Sequence, residues 1–246
     1  MYIMQEETIN NDIYSKYLNT ELCEKGLCEI HKKETAIILF HGYAQTSKIY
    51  KPYIEALKEY GDVFAPTLTG HYESRIVDIK NYKDLIHTNL KIYKLLKEQY
   101  KKVIIVGYSL GGIVSINLAS RIKPDKLILI STPINYDYEA FKISVLSLIS
   151  EFRRIKKNKQ EFKLSTYVEI FKLASLARKQ LKKIDCDTLL IHGEKDDLDP
   201  IEQSYYILSN INSQSREFYM IKNVDHYVLE HFDLVLPKII EYITRK

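Results

Sequence analysis

Short apolar runs separated by longer amphipathic stretches set the pattern of this chain. Ala36-Ile-Ile-Leu-Phe40, Val103-Ile-Ile-Val106, Leu127-Ile-Leu-Ile130 and Thr188-Leu-Leu-Ile191 are rich in β-branched or branched aliphatic side chains and nearly free of polar positions. A run that is apolar at successive positions, rather than at alternate ones, predicts a strand covered on both faces. Val63-Phe64-Ala65 before Pro66, and Phe218 to Ile221, predict two further strands. The intervening stretches repeat at helical spacing. Residues 47–60 bring Tyr50, Ile54 and Leu57 to one face, and residues 82–100 do the same with Leu85, Ile86, Leu90 and Tyr93. Residues 110–121 and 232–244 predict two more helices. Strands alternating with helices imply an α/β fold with a mostly parallel central sheet and helices on both faces.

The alternation fails once. Nearly sixty residues between the runs at 127–130 and 188–191 carry no strand pattern, and 138–183 is helical in composition. This stretch is expected to be a helical cap insertion on a core made of residues 35–137 and 184–246, with 1–34 as a peripheral N-terminal segment. Its charge sets it apart. Residues 142–183 hold 12 Lys and Arg against 3 Glu, a net of +9 in a protein whose total is +4. Such a face suits weak contact with anionic lipid surfaces, or simple solvation.

Composition narrows the class. A chain of 246 residues with 46% hydrophobic residues buries a sizeable core without staples. No apolar run approaches the roughly 20 residues of a membrane-spanning helix. The opening MYIMQEETINND has neither the basic start nor the apolar stretch of a secretory signal. Cys23 and Cys28 lack a second metal-ligand pair, and three cysteines cannot all pair, so reduced thiols in a cytoplasmic protein without a structural metal are expected. A net charge of +4 is too mild to imply nucleic acid.

The chemistry concentrates at Gly107-Tyr108-Ser109-Leu110-Gly111, a G-x-S-x-G segment placed after a strand and before a helix. A serine on so sharp a turn is held out from the sheet edge, and the helix start aims backbone N–H groups at an oxyanion forming beside it. A serine needs a base, and the base needs an orienting acid. In the order Ser, acid, His, the segment His192-Gly-Glu-Lys-Asp196 follows the strand at 188–191, where Asp196, Asp197 and Asp199 compete for the role. Val224-Asp225-His226 follows the last strand, and His226 is the better base because His231 falls in or beside the final helix. The Leu110 amide is one oxyanion donor, and the loop Phe40-His41-Gly42-Tyr43 can supply another N–H. Neither a P-loop nor a G-x-G-x-x-G fingerprint is present.

Together these pieces resemble an α/β-hydrolase, and within that superfamily the bacterial carboxylesterase and monoacylglycerol lipase branch. The resemblance rests on His41-Gly42, Pro66-Thr-Leu-Thr-Gly70-His71, Gly107 to Gly112, His192-Gly-Glu-Lys-Asp196 with Asp199-Pro200, and Asp225-His226. It covers roughly residues 35–245. It implies that Asp196 is the acid, that His71 and His192 are structural, and that Tyr43 gives the second oxyanion amide. Gly42 and Tyr108 are then expected against the substrate. The implied activity is hydrolysis of short to medium acyl esters or monoacylglycerols through an acyl-enzyme on Ser109, with no cofactor, no metal and a small-molecule ester as the partner. A thioesterase, acyltransferase or peptidase on the same triad is the neighbouring alternative, and a non-catalytic binding module the remote one.

Overall fold

The computed structural model describes residues 26–71, 77–134 and 164–245. Its strands are β1 (Gly26–Glu29), β2 (Thr35–Phe40), β3 (Asp62–Pro66), β4 (Lys102–Tyr108), β5 (Lys126–Ile130), β6 (Asp187–Gly193) and β7 (Arg216–Ile221). They form one sheet in the order β1-β3-β2-β4-β5-β6-β7. β1 runs antiparallel to β3, and every other neighbouring pair is parallel.

Successive side chains of a strand point to opposite faces, so each unbroken apolar run feeds two cores. Ile38, Phe40, Ile105, Leu127, Leu129 and Leu190 enter one. Ile37, Leu39, Val106, Ile128, Ile130 and Ile191 enter the other. The first face is covered by α2 (Tyr82–Lys97), α3 (Leu110–Ala119) and α4 (Leu164–Gln180), with Ile207 of α5 (Glu202–Asn210) joining them. The second face is covered by α1 (Lys51–Leu57) and α6 (Phe232–Thr244). All of α3 is buried, as expected of a helix that is apolar all round.

Three expectations change. First, the segment 1–34 is not wholly peripheral, because Gly26–Glu29 pairs with β3 from Gly26↔Pro66 to Glu29↔Val63. Asp62 holds the turn that follows: its buried carboxylate accepts from the His31 and Lys33 amides at 2.8 and 3.1 Å and from the Tyr100 hydroxyl at 2.8 Å. The strand is short and only half-buried at the sheet edge, so it leaves no long apolar run to read. Second, the C-terminal part of the expected cap is core. Ile170, Leu173, Ala174 and Ala177 of α4 are buried in the same cluster as the sheet, and the Asn117 side chain of α3 donates to the Leu173 carbonyl at 3.1 Å. The small alanines let the two helices approach closely. The rest of the expected cap, 138–163 with Lys156 and Lys157, lies outside the described residues, as does 1–25. Third, Cys28 is disulfide-bonded, whereas Cys186 is free and buried. Among the described residues no helix is long and apolar enough to cross a membrane.

Leu129 is 1% exposed, next to last in β5. Leu129→Ala is expected to lower unfolding free energy by about 2–5 kcal/mol, read from urea denaturation at constant slope. A loss under about 1 kcal/mol would mean that the sheet relaxes around this position.

Candidate active site

β4 carries Gly107 and Tyr108 to the C-terminal edge of the sheet, and the chain reverses at Ser109 with φ 51° and ψ −116°. A non-glycine residue in this region is strained by about 1–3 kcal/mol and persists only where its surroundings over-determine it. Here they do. The Ser109 amide donates to the Ile130 carbonyl at the end of β5 at 2.9 Å, while its own carbonyl accepts from the Gly112 and Ile113 amides at 2.9 and 3.2 Å. The elbow is therefore fastened to the strand ladder on one side and to α3 on the other. A Cβ on Gly107 would stand 2.3 Å from Ser115 Oγ, and one on Gly111 would stand 2.0 Å from the Phe40 carbonyl oxygen. Both positions require glycine because other atoms already occupy that space.

The acid and the base arrive from β6 and β7 at the same edge. His226 Nδ1 lies 2.8 and 3.0 Å from the two carboxylate oxygens of Asp196, and its Nε2 lies 3.2 Å from Ser109 Oγ. A nitrogen that faces a carboxylate carries the hydrogen, so Nδ1 donates and Nε2 is left to accept from the Ser109 hydroxyl. Asp196 Oδ1 accepts also from the Leu198 and Asp199 amides at 3.1 and 2.8 Å. Burial pushes the Asp196 carboxyl upward, but hydrogen bonds from His192 and His226, the His226 charge and the Asp199 amide outweigh it and hold the group well below the usual carboxylate range. Of the three competing acids, Asp196 alone meets His226: Asp197 is exposed, and neither carboxylate oxygen of Asp199 has a hydrogen-bond partner. His231 stands at the N-terminal boundary of α6, not at Ser109.

This arrangement has relatives. The family model for serine aminopeptidase S33 matches residues 31–161, more than half of the chain. The chain belongs to this family. The matched stretch includes Ser109 but ends before Asp196 and His226. A Mycoplasma pneumoniae protein that carries an esterase/lipase name is 26% identical over 140 residues, covering 55% of this chain and 47% of that protein, so the match spans about half of that relative's length. A thermostable monoacylglycerol lipase from a Bacillus species is 21% identical over 228 residues, covering 85% of this chain and 90% of the lipase. Among solved structures, one from work on the metagenome-derived lipolytic enzymes LipS and LipT superposes with a TM-score of 0.71 at 14% identity, covering 91% of this chain and 99% of that one. Its likeness establishes the α/β-hydrolase fold.

In this S33-family chain the remaining expected site residues divide by what holds them. Among the described residues, neither the Tyr43 nor the Leu110 amide donates to a backbone carbonyl, while the Gly42 amide is taken by Gln45 Oε1 at 3.0 Å. The Tyr43 ring packs on Tyr167 of α4, with ring centroids 5.2 Å apart. His41 accepts from the Leu68 amide through Nε2 at 2.9 Å and donates from Nδ1 to the Gly42 carbonyl at 2.8 Å. Burial, reinforced by the neighbouring His71, lowers its pKa to about 3, so it braces this loop as a neutral ring. His71, lowered by burial to about 4, packs edge-on against His41 at 5.0 Å.

Tyr108 is 2% exposed. Its ring fills the space beside Gly42, and its hydroxyl donates to the His226 carbonyl at 3.0 Å. Tyr53 does the same to the Leu229 carbonyl at 2.9 Å, so two buried hydroxyls hold the loop that carries the base. Sequence reasoning missed these clamps, and Gln45 with them, because a tyrosine or glutamine in sequence does not name its acceptor.

Asp199 is buried with neither carboxylate oxygen partnered. Burial, with Asp196 beside it, raises its pKa well above the ordinary value. For an acid with a raised folded-state pKa, stability is full below the unfolded value near 3.9 and is lost as pH climbs through the folded one. Asp199→Asn removes that penalty. We expect the variant to gain little over the parent at pH 4 and progressively more towards pH 8, on the order of 1–3 kcal/mol, in paired thermal melts. A gain that is flat across this range would show that Asp199 does not remain protonated.

Proposed function

We propose that this chain is a serine hydrolase of carboxylic esters that works through an acyl-enzyme on Ser109. The observation that carries the reading is the continuous contact from Asp196 through His226 to Ser109, closed at 2.8 and 3.2 Å. Ser109 Oγ attacks the ester carbonyl while its proton passes to His226 Nε2. The tetrahedral oxyanion lies between the Tyr43 and Leu110 amides, which are free to donate to it. Collapse breaks the bond to the alcohol, which leaves with the proton held by His226. Water then gives its proton to His226 and attacks the acyl carbonyl, releasing the carboxylic acid and restoring the serine. Asp196 keeps the imidazole in the tautomer this sequence needs and stabilises it when charged. The chemistry asks nothing of a metal or cofactor.

Short to medium acyl esters or monoacylglycerols are the substrate class we favour. The aromatic wall of Tyr43 and Tyr167 and the likeness to a monoacylglycerol lipase support it. The family's aminopeptidase name gives the second reading, an amide-bond hydrolase on the same triad. A panel of p-nitrophenyl esters of graded acyl length, run beside aminoacyl p-nitroanilides, separates them. The ester reading requires higher kcat/KM on esters, and preference for the anilides would replace it.

Ser109→Ala is expected to abolish fluorophosphonate labelling and to reduce turnover by up to about 10⁶, with the thermal midpoint kept. Activity within about tenfold of the parent would remove Ser109 from the role of nucleophile. Asp196→Asn is expected to lower kcat by about 10⁴, since the amide favours the wrong histidine tautomer, while Asp197→Asn stays within about threefold of the parent. The reverse ranking would move the acid to Asp197.

A further inference from the structure

Behind the acid, away from Ser109, stands a second imidazole. His192, next to last in β6, is fully buried. Its Nδ1 is 2.8 Å from Ser204 Oγ on α5. Its Nε2 is 2.7 Å from the Asp199 carbonyl oxygen and 3.4 Å from Asp196 Oδ2. Two acceptors face Nε2, so the hydrogen sits there, and Nδ1 accepts the hydrogen of the Ser204 hydroxyl. The main bond goes to the carbonyl of Asp199. The same residue's amide donates to Asp196 Oδ1 at 2.8 Å. Through that residue His192 fixes the loop that grips the carboxylate, and its N–H dipole also faces the far oxygen directly.

The Asp196 carboxylate thus lies between two rings that both turn N–H groups towards it. Each ring takes a serine hydroxyl on its other nitrogen, Ser109 for His226 and Ser204 for His192. We propose that His192, seated by Ser204 at Nδ1, is a positioning residue for the triad: it holds the 196–199 loop so that the Asp196 carboxylate stays aimed at His226 Nδ1. This rests on the triad reading above.

A competing use of the same residues fails on chemistry. His192, Asp196 and Asp199 bring ligand atoms within 4.8 Å of one another, a spacing that suits a cation. A metal needs an imidazole lone pair, and His192 turns an N–H into the cluster. Its other nitrogen is occupied by Ser204, so the cluster serves the loop.

Three variants, each assayed on the preferred p-nitrophenyl ester, test the proposal. His192→Leu removes both hydrogen bonds, Ser204→Ala removes the bond at Nδ1 but leaves the ring, and His192→Gln restores an N–H near the position of Nε2. We expect kcat to fall at least thirtyfold in His192→Leu and about three- to tenfold in Ser204→Ala, with KM within twofold in both, and His192→Gln to recover at least a third of the parent kcat. The downfield proton resonance of the His226 Nδ1–H, read by NMR without substrate, should weaken or shift in the first two variants and return in the third. A merely space-filling His192 would lower stability but leave that resonance and kcat in place. An unchanged resonance together with a kcat within twofold of the parent in folded His192→Leu overturns the proposal. If that variant does not fold, the same result in Ser204→Ala overturns it. Ser109→Ala in the same assay separates the two levels: an active Ser109→Ala removes the triad reading itself, whereas an inactive one beside a fully active His192→Leu removes only the role given to His192.

Discussion

The site depends on a single backbone torsion, the φ of 51° at Ser109. A residue with a side chain avoids that region. What holds it is the neighbouring architecture. β4 lies in the middle of the sheet between β2 and β5, and its ladder runs from Thr35↔Lys102 to Tyr108↔Ile130. α3 starts at once and is buried along its whole length. The glycines on either side let the Phe40 backbone and the first turn of α3 close in. Strain at one residue is thus held by two cores.

The other members of the constellation owe their positions to main-chain bonds between loops. The Glu194 amide donates to the Ile221 carbonyl at 2.9 Å, and the Lys195 amide to the Val224 carbonyl at 2.8 Å. The Glu194 carboxylate accepts from the Asn223 amide at 2.9 Å. These bonds extend the pairing of β6 with β7 past the ends of the strands, so the loops that carry Asp196 and His226 are tied to each other. The tyrosine hydroxyls of Tyr53 and Tyr108 then tie the His226 loop to α1 and to the elbow. Preorganisation of this kind is what an oxyanion-stabilising site requires, because its donors must be in place before charge develops.

Two carboxyl groups three residues apart are driven in opposite directions. Asp196 gathers two backbone amides and two imidazoles and stays ionised despite burial. Asp199 finds no donor and sits beside a negative charge, which favours its neutral form. Such divergence of neighbouring groups is characteristic of catalytic centres. Here it comes from one tight loop whose amides can satisfy only one carboxylate.

The strand runs, the helical periodicities and the elbow at Ser109 were legible in the sequence, because burial on both faces and a sterically crowded turn impose local residue choices. The core strands therefore appear close to where the apolar runs end, and Ser109 and His226 could be named from order and context. Other features left no local trace. β1 is recognisable only once β3 offers its edge, since GLCE is too short and too half-buried to show a pattern. Residues 164–183 look like an insertion by charge, but α4 joins the core because Ala174 and Ala177 fit against α3, a matter of which helix meets which. The acidic run could not rank Asp196, Asp197 and Asp199 by itself. Only the fold decides which one meets an imidazole more than twenty residues away, which stays neutral, and which histidine stands behind. Hydrogen bonding at the site joins residues distant in sequence, and that information exists only after the chain has closed on itself.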